Sequence, residues 1–234
     1  GASGTPAPSE RINLGLIGTG NINGHHREVF LAEKDARIVA VCDPVTSRRE
    51  AFRHRINQAY AGDVCKAYGD FEKLLARPDI DAVCIATPDH WHVLVALAAV
   101  RAGKDVYLEK PMGLSLAQDQ ALRTTVHRHG RVFQFGTQQR SSRNFRFACE
   151  LALNGRLGKL QTINVWSPGS SQGGDPTPVP VPEWIDYDMW LGPAPFTPYT
   201  KDRCSNSLWW MRSTRKWGKN LHHRPNTLTF IPIL

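Results

Sequence analysis

Glu109-Lys110-Pro111 sets a carboxylate and a lysine side by side at the end of the apolar run Asp105-Val106-Tyr107-Leu108. A lysine partly desolvated at the end of a strand can exchange a proton with a substrate hydroxyl while a hydride leaves the same carbon. Taken alone, the triplet reads equally well as a surface ion pair after a strand. What gives it a hydride acceptor is the segment Leu14-Gly15-Leu16-Ile17-Gly18-Thr19-Gly20, an apolar strand running into a glycine turn.

Gly18-Thr19-Gly20-Asn21-Ile22-Asn23 follows the pattern G-x-G-x-x-G except at its last position, with Gly24 one place late. The first glycine of that pattern permits a tight turn, and the second lets backbone approach a pyrophosphate at a helix N-terminus. The third serves only close helix–strand packing, so Asn23 weakens the match without removing the phosphate site. A plain turn is the alternative, but this one joins a strand to a helix, the context the motif requires.

Asp43 lies 23 residues beyond Gly20, at the end of the next apolar run, where a carboxylate can accept hydrogen bonds from the adenosine ribose. That favours NAD over NADP, although Arg48 and Arg49 could accommodate a 2′-phosphate, and Asp43-Pro44 could also be a turn opening a helix. Thr87 and Pro88 end a further strand, and a proline there cannot continue the ladder, so the chain turns out at the ligand edge. His90 and His92 follow, but no cysteine or carboxylate cluster stands beside them, so capping or packing near a cofactor is expected rather than a metal site.

These residues must be held by repeated βα units, because from Arg11 to about Gly136 short apolar runs alternate with helix-period segments. Strands are expected at Ile12–Ile17, Arg37–Cys42, Ala82–Ala86, Asp105–Leu108 and Val132–Phe135. Helices are expected at Ile22–Glu33, Ser47–Tyr60, Phe71–Ala76, His90–Ala102 and Leu116–His129, with Asp70 and Ser115 as caps and Gly103 and Gly130 as stops. The expected class is α/β, a doubly wound parallel sheet over residues 11–140, followed by the start of an incomplete α+β substrate domain over 141–211. In that second part, a helix is expected at Ser141–Leu153 and a strand at Lys159–Trp166. Ser167–Tyr199 holds eight of the sixteen prolines and reads as a long loop, while 212–234 is a basic tail without periodicity.

The formal charge of +8 comes mainly from Lys201–Arg224, where seven lysines and arginines meet only Asp202; the rest of the chain carries about +2. No basic stripe follows a folded element, which argues against nucleic acid as a partner. No run reaches the roughly 18 apolar residues of a membrane span. Cys42, Cys65, Cys84, Cys149 and Cys204 show no CxxC spacing and are expected to be buried, inert thiols. Gly1–Glu10 is small, polar and proline-bearing, and reads as a linker after an upstream segment.

The glycine loop, Ala86-Thr87-Pro88-Asp89-His90-Trp91-His92, Val106-Tyr107-Leu108-Glu109-Lys110-Pro111, Phe133-Gln134-Phe135-Gly136-Thr137-Gln138-Gln139-Arg140 and Trp190-Leu191-Gly192-Pro193-Ala194-Pro195 together resemble the Gfo/Idh/MocA oxidoreductases from about Arg11 to Met211. The resemblance implies a Rossmann domain binding NAD(P), a C-terminal domain whose open sheet forms substrate and oligomer surfaces, and redox chemistry on a sugar, inositol or related polyol. By position it assigns Gly18, Gly20, Asn21 and Ile22 to the pyrophosphate, Asp43 to the ribose, and Thr87, Pro88 and His92 to the strand edge beside the cofactor. Glu109 falls near the nicotinamide ribose, Lys110 at the catalytic lysine, and Gln138 close to the cofactor. Some relatives carry an export signal ahead of such a linker, which implies a periplasmic home if one was removed and a cytoplasmic home otherwise. Relatives that use NAD transiently to cleave glycosidic bonds supply a second enzymatic reading. A non-catalytic nucleotide-binding remnant is the third, because the stretch after Leu208-Trp209-Trp210-Met211-Arg212 departs from the family's glycine-rich, histidine-bearing helix.

Overall fold

The computed structural model describes residues 10–159, 161–162 and 175–204. Six parallel strands form one sheet: β1 Ile12–Ile17, β2 Ala36–Cys42, β3 Lys66–Tyr68, β4 Ala82–Ile85, β5 Asp105–Glu109 and β6 Phe133–Gly136. Their spatial order, β3-β2-β1-β4-β5-β6, is that of a Rossmann fold, and the order reverses between β1 and β4. A ligand crevice is expected outside the carboxyl ends of the strands at that reversal.

Successive strand side chains face opposite sides of the sheet, and the two apolar clusters follow that alternation except in β2, where the register against β1 shifts between Leu14 and Gly15 and Ile38 and Val41, three residues apart, fall in one cluster. Leu16, Ile38 and Val41 lie with Phe52, Ile56, Cys65 and Cys84 in one cluster. Ile17, Val39 and Val83 lie with Leu74, Val93, Ala96, Val100 and Leu122 in the other. The helices that supply these covers are α1 Asn21–Ala32, α2 Thr46–Ala59, α3 Phe71–Leu75, α4 His92–Arg101 and α5 Leu116–His129. Asp70 accepts from Glu72 N and Ser115 from Gln118 N, as their cap positions predict. Gly130 ends α5 in the left-handed region, where a glycine carries no Cβ penalty.

Several expectations change. The strand β3 had not been expected: three residues at a sheet edge are too short to show alternation. The helix expected from His90 begins as a 3₁₀ turn, Asp89–Trp91, before α4. A second 3₁₀ turn, Gln138–Ser141, precedes α6 Arg143–Leu153. The proline-rich stretch is not all loop, since α7 Tyr187–Leu191 forms within it, capped by Asp186, and Ile185 makes an antiparallel bridge to Val45. Cys149 is exposed, against the expectation of five buried thiols; Cys42, Cys65, Cys84 and Cys204 are buried and free. Most of the strand expected at Lys159–Trp166, and all of the basic tail, lie outside the described residues.

Candidate functional site

At the reversal point a cleft of about 280 Å³ opens along the carboxyl ends of β1, β2, β4 and β5. Its wall includes ten of the eleven residues singled out from the sequence: Gly18, Gly20, Asn21, Ile22, Asp43, Thr87, Pro88, His92, Glu109 and Lys110. Gln138, exposed in the turn after β6, is not part of that wall.

The glycine turn has the shape an anionic ligand needs. Gly18 has φ +85°, and a Cβ there would stand 2.6 Å from the Ala86 carbonyl oxygen, so β1 and β4 approach too closely for any side chain. A Cβ on Gly20 would meet no heavy atom within 4 Å, which leaves the backbone at the start of α1 open to the cleft. Unpaired amides at a helix N-terminus stabilise a phosphate placed there. Thr87 Oγ1 is buried without a hydrogen-bond partner among the described residues, an orphan that a ligand hydroxyl or carbonyl could relieve. The turn, the helix start and this hydroxyl fit a dinucleotide.

Asn23, expected only to weaken the motif, has a role of its own. It is fully buried, and its Nδ2 donates to Gly18 O at 2.7 Å, Ile17 O at 3.2 Å and Cys84 O at 3.4 Å. The Cys84 thiol donates to its Oδ1 at 3.1 Å. The side chain therefore pins α1 to the ends of β1 and β4, the packing task a third glycine would otherwise perform by close contact.

Asp43 lies at the cleft but is engaged with its own backbone surroundings. Its Oδ2 accepts from Thr19 N at 2.8 Å and Thr19 Oγ1 at 3.0 Å, and its Oδ1 from Val45 N at 2.9 Å. It thus braces the glycine turn, with the remaining lone pairs left for a ribose. Of the two arginines beyond it, Arg49 turns to the Asp43 and Pro44 carbonyls, while Arg48 lines the cleft and donates to Cys204 O at 2.6 Å.

Glu109 is nearly buried; Oε1 lies 2.9 Å from His26 Nε2 on α1, and Oε2 accepts from Lys110 N at 3.1 Å. Lys110 itself is exposed, so the partial desolvation expected for it is not supplied by the chain alone. His92 is buried, with Nδ1 2.5 Å from Pro111 O and Nε2 2.9 Å from Thr87 O, so it links the ends of β4 and β5. Burial pushes the Asp89 carboxyl up, opposed by nearby His92, His90 and Lys110, and pushes the His90 imidazole down.

The far wall comes from α7 and its flanks, inside the stretch whose prolines predict a loop. Met189 and Trp190 line the cleft. Trp91 Nε1 donates to Met189 O at 3.0 Å, and His90 Nε2 lies 3.2 Å from Trp190 O. Thr46 N donates to Trp184 O and Asp186 N to Pro44 O, so the same segment is fastened to the end of β2 as well as to the turn after β4. Local pattern carries no signal for such ties, since each joins residues about a hundred or more positions apart.

Comparison with known proteins agrees with this geometry. Residues 12–137 match the model of an oxidoreductase family with an NAD-binding Rossmann fold, and residues 165–212 match that family's C-terminal alpha/beta domain. The myo-inositol 2-dehydrogenase of Thermotoga maritima is 28% identical over 176 residues, covering 75% of this chain and 48% of that protein. A glycosyl hydrolase family 109 protein of Saccharopolyspora erythraea is 36% identical over 110 residues, covering 46% of this chain and 24% of that protein. Among solved structures, scyllo-inositol dehydrogenase from Lactobacillus casei, with bound NAD(H) and scyllo-inositol, superposes with a TM-score of 0.56 at 26% identity, covering 63% of this chain and 42% of that one. The chain spans about half or less of the length of these relatives.

Proposed function

This chain belongs to the Gfo/Idh/MocA oxidoreductase family with its NAD-binding Rossmann fold, and from that premise we propose that it works in NAD(P)-dependent oxidation or reduction of a sugar, inositol or related polyol. The observation that carries the reading is the convergence, in one cleft, of the Gly18–Gly20 turn, the Thr87–Pro88 edge and the Glu109-Lys110 pair. A bound nicotinamide cofactor supplies the hydride acceptor or donor. The chain's own part is to bind and to move a proton. Gly18, Gly20, Asn21 and Ile22 offer backbone at the start of α1 to the pyrophosphate, and Asp43, Thr87, Pro88, His92 and Glu109 line the rest of the cofactor's path.

Lys110 takes the hydroxyl proton of the substrate on its Nζ in the oxidative direction and returns it in the other. An exposed ammonium is well suited to exchange that proton with solvent between turnovers. The family's C-terminal alpha/beta domain, matched by residues 165–212, is the proposed source of substrate specificity and of a surface for self-association. Similarity to a glycosyl hydrolase family 109 protein supports a second reading, in which the same cofactor is used transiently to cleave a glycosidic bond.

The test is turnover of the full chain with NAD or NADP on a panel of inositols, sugars and aryl glycosides, beside Lys110→Met. The expected result is cofactor reduction lowered by about a hundredfold or more in the variant, with cofactor affinity retained. Free sugar released without net cofactor reduction would favour the glycosidase reading. Unchanged turnover in the variant would remove Lys110 from the chemistry.

A further inference from the structure

Asn23, His26 and Phe30 recur at helical spacing along α1, so they share the face turned toward the sheet. On β5, Tyr107 and Glu109 are two residues apart and project from one side. The His26 ring packs edge-on against Tyr107, with centroids 5.2 Å apart and planes at 69°, and this aims Nε2 along the strand at the Glu109 carboxylate. The contact is 2.9 Å, between a carboxylate side chain 5% exposed and an imidazole 16% exposed. The other carboxylate oxygen is held by the Lys110 amide. Each oxygen of Glu109 therefore has one fixed partner, and the residue lines the cleft with acceptor capacity to spare.

We infer that His26 is a positioning residue, which through its hydrogen bond to Glu109 fixes the carboxylate that receives the sugar hydroxyls of the nicotinamide nucleoside. The inference rests on the reading of the cleft as a dinucleotide site and deepens it. Glu109 as a carboxylate can only accept, so the Nε2 of His26 carries the proton in this contact. Without that donor a nearly buried carboxylate loses one of its two ties, and the side chain is free to turn away and present the wrong face to a diol. A side chain that merely filled space at residue 26 would be indifferent to whether its replacement could donate a hydrogen bond.

The experiment is calorimetric titration of NADH into the full chain and into His26→Ala, His26→Gln, Glu109→Ala and the double variant His26→Ala/Glu109→Ala, with a thermal melt on each. Binding is expected to weaken about tenfold in His26→Ala and to return to within about threefold of wild type in His26→Gln, whose amide can donate to the same oxygen. The double variant should bind no more weakly than Glu109→Ala, because the histidine acts only through that carboxylate. Wild-type affinity in His26→Ala, or losses that add in the double variant, would overturn the inference while leaving the cofactor reading intact. Failure of the wild-type chain to bind NADH would overturn both. If His26→Ala does not fold, His26→Gln against Glu109→Ala still decides, since a glutamine variant that binds as weakly as Glu109→Ala also overturns the inference.

Discussion

Replacing Asn23 by glycine would complete the G-x-G-x-x-G pattern, and the completed motif is expected to be the worse protein. Asn23 is fully buried and its amide group serves three carbonyl oxygens, those of Ile17, Gly18 and Cys84, with two N–H bonds to share among them. At about 1 kcal/mol net for each, the amide contributes roughly 2 kcal/mol. Loss of the side-chain volume from a site with no solvent access adds about 1 kcal/mol, and glycine in a helix adds a few tenths more. The sum, about 3–4 kcal/mol, corresponds to a fall of about 7–15 °C in Tm for a domain of this size. Circular dichroism melts and urea titration of wild type and Asn23→Gly would measure it, and NADH titration would report whether the glycine turn has loosened. A Tm within about 2 °C of wild type, with equal or tighter NADH binding, would show that the position is an ordinary packing site and that the hydrogen-bond argument is wrong.

Two further outcomes concern the wall built by α7. Burial holds the His90 imidazole below its ordinary value of 6.5, so an unfolded chain takes up a proton that the folded one does not as pH falls from about 6.5 toward the lowered folded value. Stability is expected to drop over that window, and melts from pH 7.5 to 5 should show a shallower decline in His90→Asn, with the neighbouring Asp89 and His92 unchanged in both. A Cβ at Gly192, where φ is +49°, would sit 2.1 Å from the Trp91 ring, so Gly192→Ala is expected to unseat the indole from Met189 O. A red shift in tryptophan emission and at least a severalfold loss of NADH affinity would register it, and an unaltered spectrum would argue against the contact.

The parallel sheet was legible because β1, β2, β4 and β5 are short, predominantly apolar segments bounded by turns and separated by helix-period stretches, the pattern of strands covered on both faces. The bounds of α5 followed from a serine cap and a left-handed glycine, both local chemistry. Residues 66–68 carried no such signal, being too short and only half-buried. Asn23 was visible as a motif exception, but part of its value comes from Cys84, 61 positions away, which local pattern does not show. His26 failed to stand out for the same reason, since its partner Glu109 lies 83 residues further on. Lys110 was read as partly desolvated from its place after a strand, whereas the turn carries its side chain into the open.

The segment around α7 forms one wall of the cleft and is hydrogen-bonded at one end to Pro44 and Thr46 and at the other to His90 and Trp91. It buries Val45, Ile185, Tyr187, Trp190, Leu191 and Tyr199 against one another in a cluster separate from the two that cover the sheet. A nucleotide-binding unit cut at the end of β6 would therefore be a continuous, well-patterned stretch of chain and still lack one side of its own ligand cleft. Grafting residues 11–140 onto a foreign substrate domain would therefore carry over the six strands but leave behind Met189 and Trp190, and with them part of the site.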